Sequence, residues 1–121
     1  HFGDWENQLL TEIDRSQMNA WKNDLRGYRF PNGESFYDVD KRVSEHLEYC
    51  LEQNKECLWV THAGVIASVL HTYAGVPDDD FVEGKFAYAT MTRFDFQKKN
   101  GMWQASFKHV YEGIPMPPLQ M

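Results

Sequence analysis

The chain has 121 residues, 42% hydrophobic and 15% aromatic, a composition typical of one globular domain and not of a disordered or fibrous protein. Its formal net charge of -6 argues against nucleic-acid binding, because phosphate contacts require a basic surface. No apolar run reaches the roughly 18 residues of a membrane span and no signal peptide is visible, so we expect a cytoplasmic location without a membrane partner. The two cysteines do not indicate a disulfide framework.

Short helical patterns occupy the first third of the chain. An apolar stripe predicts a helix over about residues 6–13. A second helix is predicted after Asp14, which with Gln17 resembles a capping box, and its stop is expected at Gly27. The apolar positions of this second helix are Met18, Trp21 and Leu25.

The clearest helix pattern follows Ser35. This serine is a good N-cap residue, and Asp38 in the first turn suits the positive end of the helix dipole. Three- and four-residue steps predict one buried stripe, formed by Phe36, Val39, Val43, Leu47, Cys50 and Leu51.

A strand, a tight turn and a further helix are predicted around His62. The segment Cys57–Thr61 is apolar on both faces, so we expect a strand covered on both sides in a parallel or mixed sheet. His62 would then lie at the carboxyl end of this strand, and the following helix would end at Gly75. In open α/β sheets this place collects anions and ligands.

The pattern changes to a two-residue period from Phe86 onwards. Asn100-Gly101 predicts a hairpin turn, and alternating residues from Trp103 to Tyr111 predict one face of the returning strand. We expect the proline-containing tail over residues 113–121 to be irregular.

Common metal and cofactor motifs do not occur in the sequence. There is no Gly-x-Gly-x-x-Gly, no phosphate-binding Gly-x-x-x-x-Gly-Lys loop, no His-Glu-x-x-His and no Cys-x-x-Cys. A metal site could be built from His46, Cys50 and Cys57, but the helix stripe and the predicted strand already account for the cysteines. We therefore expect neither a metal nor a cofactor.

The residues alone allow two interpretations of His62. It could be a structural histidine held by a hydrogen bond at a strand end. Alternatively, the small residues Ala63 and Gly64 let a ligand approach the backbone, and the helix N–H groups favour an anion. A histidine there can stabilise the charge that grows on a transferring phosphoryl group.

Four segments in order resemble the histidine phosphatase superfamily, which has the phosphoglycerate mutase-like fold. Residues 61–66 (Thr-His-Ala-Gly-Val-Ile) resemble its second histidine motif, and residues 2–6 resemble its Phe-Gly-x-Trp-Glu segment. Residues 31–35, followed by Val39 and Arg42-Val43, resemble its Pro-x-Gly-Glu-Ser helix start, and the hairpin at Asn100-Gly101 resembles its closing strands. The combination is most similar to the bacterial alpha-ribazole phosphatase branch.

The resemblance implies an α/β, three-layer fold with a mixed sheet. Residues 1–121 would form the C-terminal part of a single histidine phosphatase domain, without its N-terminal strand and helix. Members transfer a phosphoryl group to a histidine in an Arg-His-Gly motif and then to water, with phosphate-binding arginines, an acid glutamate and no metal. The sequence contains no Arg-His-Gly, and Ala63, Ala67 and Asn7 replace a common glycine, a common arginine and a usual glycine of the family.

The resemblance also implies the roles of particular residues. His62 would be catalytic, and Ala63, Gly64 and Glu34 would contact the substrate or its phosphate, although a glutamate before an N-cap serine more often supports the helix start. The expected partner is a small phosphorylated substrate, with alpha-ribazole 5'-phosphate in cobalamin synthesis first.

Several alternatives stay open at this point. A broad-specificity phosphatase or a phosphoglycerate mutase is the enzymatic alternative. An inactive fragment or a non-catalytic binding module is the alternative of another class. The chain could also form a homo-oligomer or pair with the missing N-terminal segment, because an apolar sheet edge tends to associate.

Overall fold

The computed structural model describes residues 1–78 and 88–111. Within them it contains three α-helices and a two-stranded antiparallel sheet, which confirms the α/β class. The described residues divide into two compact units, residues 1–58 and the region from residue 59 onwards. None of the helices in the described ranges combines the length and hydrophobicity that crossing a bilayer requires.

The start of the first unit is built from two short 3-10 turns. They span Gly3–Trp5 and Leu10–Glu12, and the continuous helix predicted over residues 6–13 is wrong. Asn7 lies between them with φ of 63°, a left-handed conformation that interrupts a right-handed helix. The apolar residues of the predicted stripe therefore do not lie on one helix, although Ile13 is buried.

Helix α1 spans Arg15–Asn23 and begins as the sequence predicts. The Asp14 carboxylate accepts hydrogen bonds from the N–H groups of Ser16 (3.0 Å) and Gln17 (3.4 Å). The helix ends earlier than the predicted stop at Gly27. The Asp24 carboxylate accepts a hydrogen bond from the Gly27 N–H (2.9 Å), so a side-chain turn replaces the last helical turn.

Helix α2 spans Phe36–Glu52, and Ser35 is its N-cap as predicted. The Ser35 N–H donates to the Asp38 carboxylate (2.8 Å), while the Asp38 N–H donates to the Ser35 hydroxyl (3.3 Å). This reciprocal pair satisfies two backbone donors that the helix leaves unbonded. Val43 and Leu47 are the buried members of the predicted stripe, and its other members are partly buried.

An aromatic cluster forms the core of the first unit. Phe30 is its centre, 3% exposed, with ring centroids 4.9 Å from Trp5 and 5.4 Å from Tyr28 in edge-to-face arrangements. Such geometry aligns the positive ring edge with the negative ring face and adds to the burial energy. The buried members of the cluster are Trp5, Ile13, Met18, Trp21 and Phe30.

The predicted strand Cys57–Thr61 does not form among the described residues. Leu58 is 80% exposed and Val60 is 96% exposed, so the expectation of a strand covered on both faces is wrong here. A strand of that kind requires hydrogen-bonded neighbours, and the sheet in the described residues contains only the C-terminal hairpin. The segment runs without regular secondary structure into His62.

The second unit combines helix α3 with a β-hairpin. Helix α3 spans Ala63–Ala74 and stops at Gly75, as predicted, where φ is 69° and the N–H donates to the Leu70 carbonyl. Strands β1 (Met91–Lys99) and β2 (Met102–Tyr111) pair antiparallel. The turn residues Asn100 and Gly101 have φ of 52° and 77°, the left-handed pair that favours a tight hairpin.

Alternating residues of the hairpin form its partly buried face, as the two-residue period predicts. On β1 these are Thr92, Phe94 and Phe96. Tyr73 of α3 packs edge-to-face on Phe96, with ring centroids 5.8 Å apart, so the helix lies against this face. The predicted strand residues Phe86 and Ala87 and the predicted irregular tail lie outside the described residues.

Candidate functional site

His62 occupies the N-cap position of helix α3. Its backbone is extended (φ -107°, ψ 158°), and its carbonyl accepts hydrogen bonds from the N–H groups of Val65 (3.0 Å) and Ile66 (3.2 Å). These bonds close the first helical turn. The turn prediction placed the helix start at this residue correctly, because the small pair after the histidine allows the chain to bend sharply.

The first two amide groups of α3 have no acceptor within the helix. They belong to Ala63 and Gly64, since the helical bonding pattern to the His62 carbonyl begins only with Val65. No side chain caps this end. Two N–H donors therefore lie at the positive end of a helix of 12 residues, where the dipole favours an anion.

The His62 side chain is exposed and makes no hydrogen bond or ion pair within the described ranges. The exposed imidazole and the unbonded N–H groups of Ala63 and Gly64 thus belong to consecutive residues at the start of α3. Together these three residues can donate hydrogen bonds to a tetrahedral anion such as phosphate. The structure thus brings three of the four predicted site residues to one helix end.

Glu34, the fourth predicted residue, has a charged partner in the first unit. One of its carboxylate oxygens pairs with the Arg42 guanidinium. Its side chain is 29% exposed. Since Arg42 lies two turns along α2, the ion pair ties the residue before the N-cap to the helix. This contact supports the ordinary alternative, in which Glu34 helps the helix to begin.

Two segments that resemble family motifs meet in the first unit, a contact that sequence reasoning missed. The Asp4 N–H donates to the Pro31 carbonyl (2.8 Å), and the Asn32 side-chain amide donates to the Asp4 carboxylate (2.9 Å). A Cβ on Gly3 would lie 2.0 Å from the Pro31 oxygen, and one on Gly33 would lie 2.6 Å from the Gly3 nitrogen. A glycine in each segment was the available signal, because backbones approach this closely only where a Cβ is absent.

The remaining histidines of the described residues have local roles. His71 lies near the end of α3, with Nδ1 3.2 Å from the Val76 carbonyl oxygen and 3.5 Å from the Asp78 carboxylate. His109 Nδ1 lies 2.9 Å from the Thr92 hydroxyl across the hairpin. His46 and the cysteines do not assemble a metal site, since the described residues contain no group of three metal-ligating side chains.

Comparison with known proteins gives the chain its family. Residues 1–107 match the family described as "Histidine phosphatase superfamily (branch 1)". The "Probable phosphoglycerate mutase GpmB" of Yersinia enterocolitica is 27% identical over 101 residues, covering 82% of this chain and 46% of that protein. The protein of the same name from Yersinia pestis is 27% identical over 99 residues, covering 80% of this chain and 45% of its own length.

The chain thus spans about half the length of the curated relatives it matches. No solved structure matches it significantly. The matched region includes the Phe-Gly segment, the helix start at Ser35, His62 and most of the hairpin. The chain belongs to the histidine phosphatase superfamily (branch 1).

Proposed function

We propose that this chain contributes the second-histidine half of a phosphomonoesterase active site, built within a single histidine phosphatase domain. In that reaction a histidine nitrogen attacks the phosphorus and the ester oxygen leaves as an alcohol. Water then attacks the phosphohistidine, which releases phosphate and restores the histidine. His62 donates a hydrogen bond to the phosphoryl group while it transfers.

One observation carries this proposal: the joint presentation of His62 and two unbonded amide groups at the start of α3. Donors that are fixed before reaction stabilise charge as it develops on phosphoryl oxygens, without reorganising at that moment. Membership of the superfamily supports the same assignment. Ala63 and Gly64 act through their N–H groups, and Glu34 has the weaker claim because Arg42 already pairs with it.

The nucleophile is proposed to come from outside the 121 residues. The sequence contains no Arg-His-Gly, the motif that the family resemblance assigns to the nucleophile. The matched relatives are about twice as long as the region they share with this chain. We therefore expect the phosphate-binding arginines and the acid glutamate from the same additional segment, and no hydrolysis by this chain alone.

The exposed apolar side chains before His62 support pairing with that segment. Leu58 and Val60 would become buried if the extended stretch that contains them gained a neighbouring strand. Co-expression with the preceding coding sequence should yield a monomeric protein in which amide exchange at Val60 is slowed. A chain that instead forms a stable homodimer through these residues would support the homo-oligomer alternative.

Alpha-ribazole 5'-phosphate is the proposed substrate, on the strength of the motif resemblance alone. The names of the matched relatives favour the alternative of a phosphoglycerate mutase, and a broad-specificity phosphatase is the third candidate. A panel containing alpha-ribazole 5'-phosphate, 3-phosphoglycerate and p-nitrophenyl phosphate separates them. A preference in kcat/KM for the ribazole ester would support the first candidate, and isomerisation without phosphate release would support the second.

Replacement of His62 tests the mechanism in the full-length protein. His62→Ala should lower kcat for p-nitrophenyl phosphate by about 10²–10³-fold, the usual cost of removing one donor to a transition-state anion. His71→Ala is the matched control, because it removes a histidine from the same helix whose contacts are to Val76 and Asp78. Equal turnover by wild type and His62→Ala would remove His62 from the mechanism.

Phosphate binding can be measured on this chain without turnover. Titration with inorganic phosphate should shift the amide resonances of Ala63 and Gly64 in the wild type, and His62→Ala should weaken the effect. If the full-length protein binds phosphate esters in this way but hydrolyses none, the non-catalytic binding module is the correct alternative.

A further inference from the structure

The sequence contains two Asn-Gly pairs, and their surroundings in the structure differ. Asn32-Gly33 lies shortly before helix α2, and Asn100-Gly101 joins strands β1 and β2. Both asparagines have a left-handed backbone, with φ of 56° at Asn32 and 52° at Asn100. Because the residue types and these φ values agree, a difference in reactivity between the two pairs must come from the contacts that each one makes.

Asn32-Gly33 is held by contacts on both of its residues. The Asn32 side-chain amide donates to the Asp4 carboxylate (2.9 Å), and the Gly33 N–H donates to the Phe30 carbonyl (2.8 Å). A Cβ on Gly33 would lie 2.6 Å from the Gly3 nitrogen, so another segment packs directly against this glycine. Rotation of either residue therefore requires these contacts to break.

Asn100-Gly101 has none of these restraints. Among the described residues, the Asn100 side chain and the Gly101 N–H have no hydrogen-bond partner, and both residues are exposed. The space around Gly101 is open, because an added Cβ would have no neighbouring atom within 4 Å. The Asn100 side chain can therefore rotate towards the Gly101 nitrogen, which no side chain shields.

We propose that Asn100 is a deamidation site, at which the folded protein acquires an isoaspartyl residue as it ages, whereas Asn32 is protected. The Gly101 nitrogen attacks the side-chain carbonyl carbon of Asn100, and the bond from that carbon to Nδ2 breaks. Ammonia leaves with the proton of the Gly101 N–H, and a five-membered succinimide remains. Water then opens the ring at one carbonyl to give aspartate, or at the other to give isoaspartate. In sum, asparagine and one water give one acidic residue and one ammonia.

Isoaspartate changes the hairpin in two ways. It places an additional carbon atom in the main chain of a two-residue turn, and it adds a negative charge there. The closing strand pair, Lys99 and Met102, then no longer matches the geometry of a tight turn. Since Phe96 of β1 packs on Tyr73 of α3, weaker strand pairing also loosens the contact between the hairpin and the helix that begins after His62.

Peptide mapping of the aged chain measures both sites in one sample. The chain is incubated at mildly alkaline pH and digested with glutamyl endopeptidase, which releases residues 13–34 with Asn32 and residues 84–112 with Asn100. Deamidation raises the peptide mass by the difference between OH and NH2, and electron-transfer fragmentation locates the site and distinguishes isoaspartate from aspartate. Asn100 should react about thirtyfold faster than Asn32, the effect of two ordinary hydrogen bonds that only Asn32-Gly33 must break.

Unfolding and substitution provide the controls. In guanidinium the two asparagines should react at similar rates, because their different surroundings are lost. Asp4→Ala removes the acceptor of the Asn32 amide and should speed the reaction at Asn32 without changing that at Asn100. Asn100→Gly keeps the left-handed turn without a reactive side chain. Ageing should therefore speed amide exchange in β1 and β2 of the wild type and leave it unchanged in this variant.

The proposal fails if Asn100 in the folded chain reacts less than about fivefold faster than Asn32, the smallest effect that two hydrogen bonds should have. It also fails if the ratio of the two rates is the same in guanidinium, or if no isoaspartate accumulates at Asn100. Unchanged amide exchange in the aged wild type would contradict the loosening of the hairpin. Because these readouts involve no phosphate ester, failure of the phosphatase proposal would leave them unchanged.

Discussion

Gly3→Ala should destabilise the first unit by roughly 1.5–3.5 kcal/mol. The residue has φ of +57°, which costs a non-glycine residue about 1–2 kcal/mol. The new Cβ would also lie 2.0 Å from the Pro31 oxygen, which is backbone and cannot rotate away. The two segments must separate and lose the Asp4–Pro31 hydrogen bond, a further loss of about 0.5–1.5 kcal/mol.

Urea unfolding followed by circular dichroism and tryptophan fluorescence measures this cost, and two glycines provide matched controls. Gly101→Ala has a similar positive φ but open space around the new Cβ, so it should lose only the conformational part, about 1–2 kcal/mol. Gly33→Ala would place a Cβ 2.6 Å from the Gly3 nitrogen and should disturb the same contact. If Gly3→Ala is no worse than Gly101→Ala, the close approach of the two segments is not part of the folded protein.

Three further predictions concern the cap and the core of the first unit. Ser35→Ala should lower the unfolding free energy by about 1 kcal/mol and Ser35→Thr by much less, as measured by urea unfolding, because threonine keeps the capping hydroxyl. The Ser35 N–H, then its hydroxyl, and then Arg29 hold the pKa of Asp38 below its ordinary value of 3.8. The folded chain therefore binds fewer protons than the unfolded chain at these pH values. The stabilisation that the Asp38 carboxylate contributes is complete above pH 3.8 and is lost as the pH falls through the lower pKa of the folded state. Asp38→Asn should flatten that part of the acid-unfolding profile, and an unchanged profile would contradict the assignment. Phe30→Ala should cost about 3–5 kcal/mol in urea unfolding, and a loss below about 1 kcal/mol would show that the aromatic cluster is not packed.

Local signals accounted for most of the helices. The cap residues Asp14 and Ser35 mark the starts of α1 and α2, and Gly75 marks the end of α3. Each of these features depends on hydrogen bonds or dihedral angles within a few residues, so the sequence contains the necessary information. The hairpin at Asn100-Gly101 is predictable for the same reason, because its turn requires two left-handed residues in a row.

Other features depend on partners distant in the chain. The apolar pattern of Cys57–Thr61 indicates a buried strand, but a strand is defined by its neighbours, and the described residues provide none. The end of α1 was misplaced because the Asp24 side chain competes with the helix for the Gly27 N–H. The spacing of apolar residues does not reveal such competition from a side chain.

The candidate site also has some features that local sequence determines and others that depend on residues distant in the chain. The sequence by itself determined that His62 begins a helix after a small-residue turn, since this requires only local backbone geometry. Only the tertiary structure showed that Glu34 is paired with Arg42 and that Gly3 and Gly33 bring two motif segments together. The ion pair and the contact between segments are decided by how the turns and helix ends orient their segments in space, which no local pattern specifies.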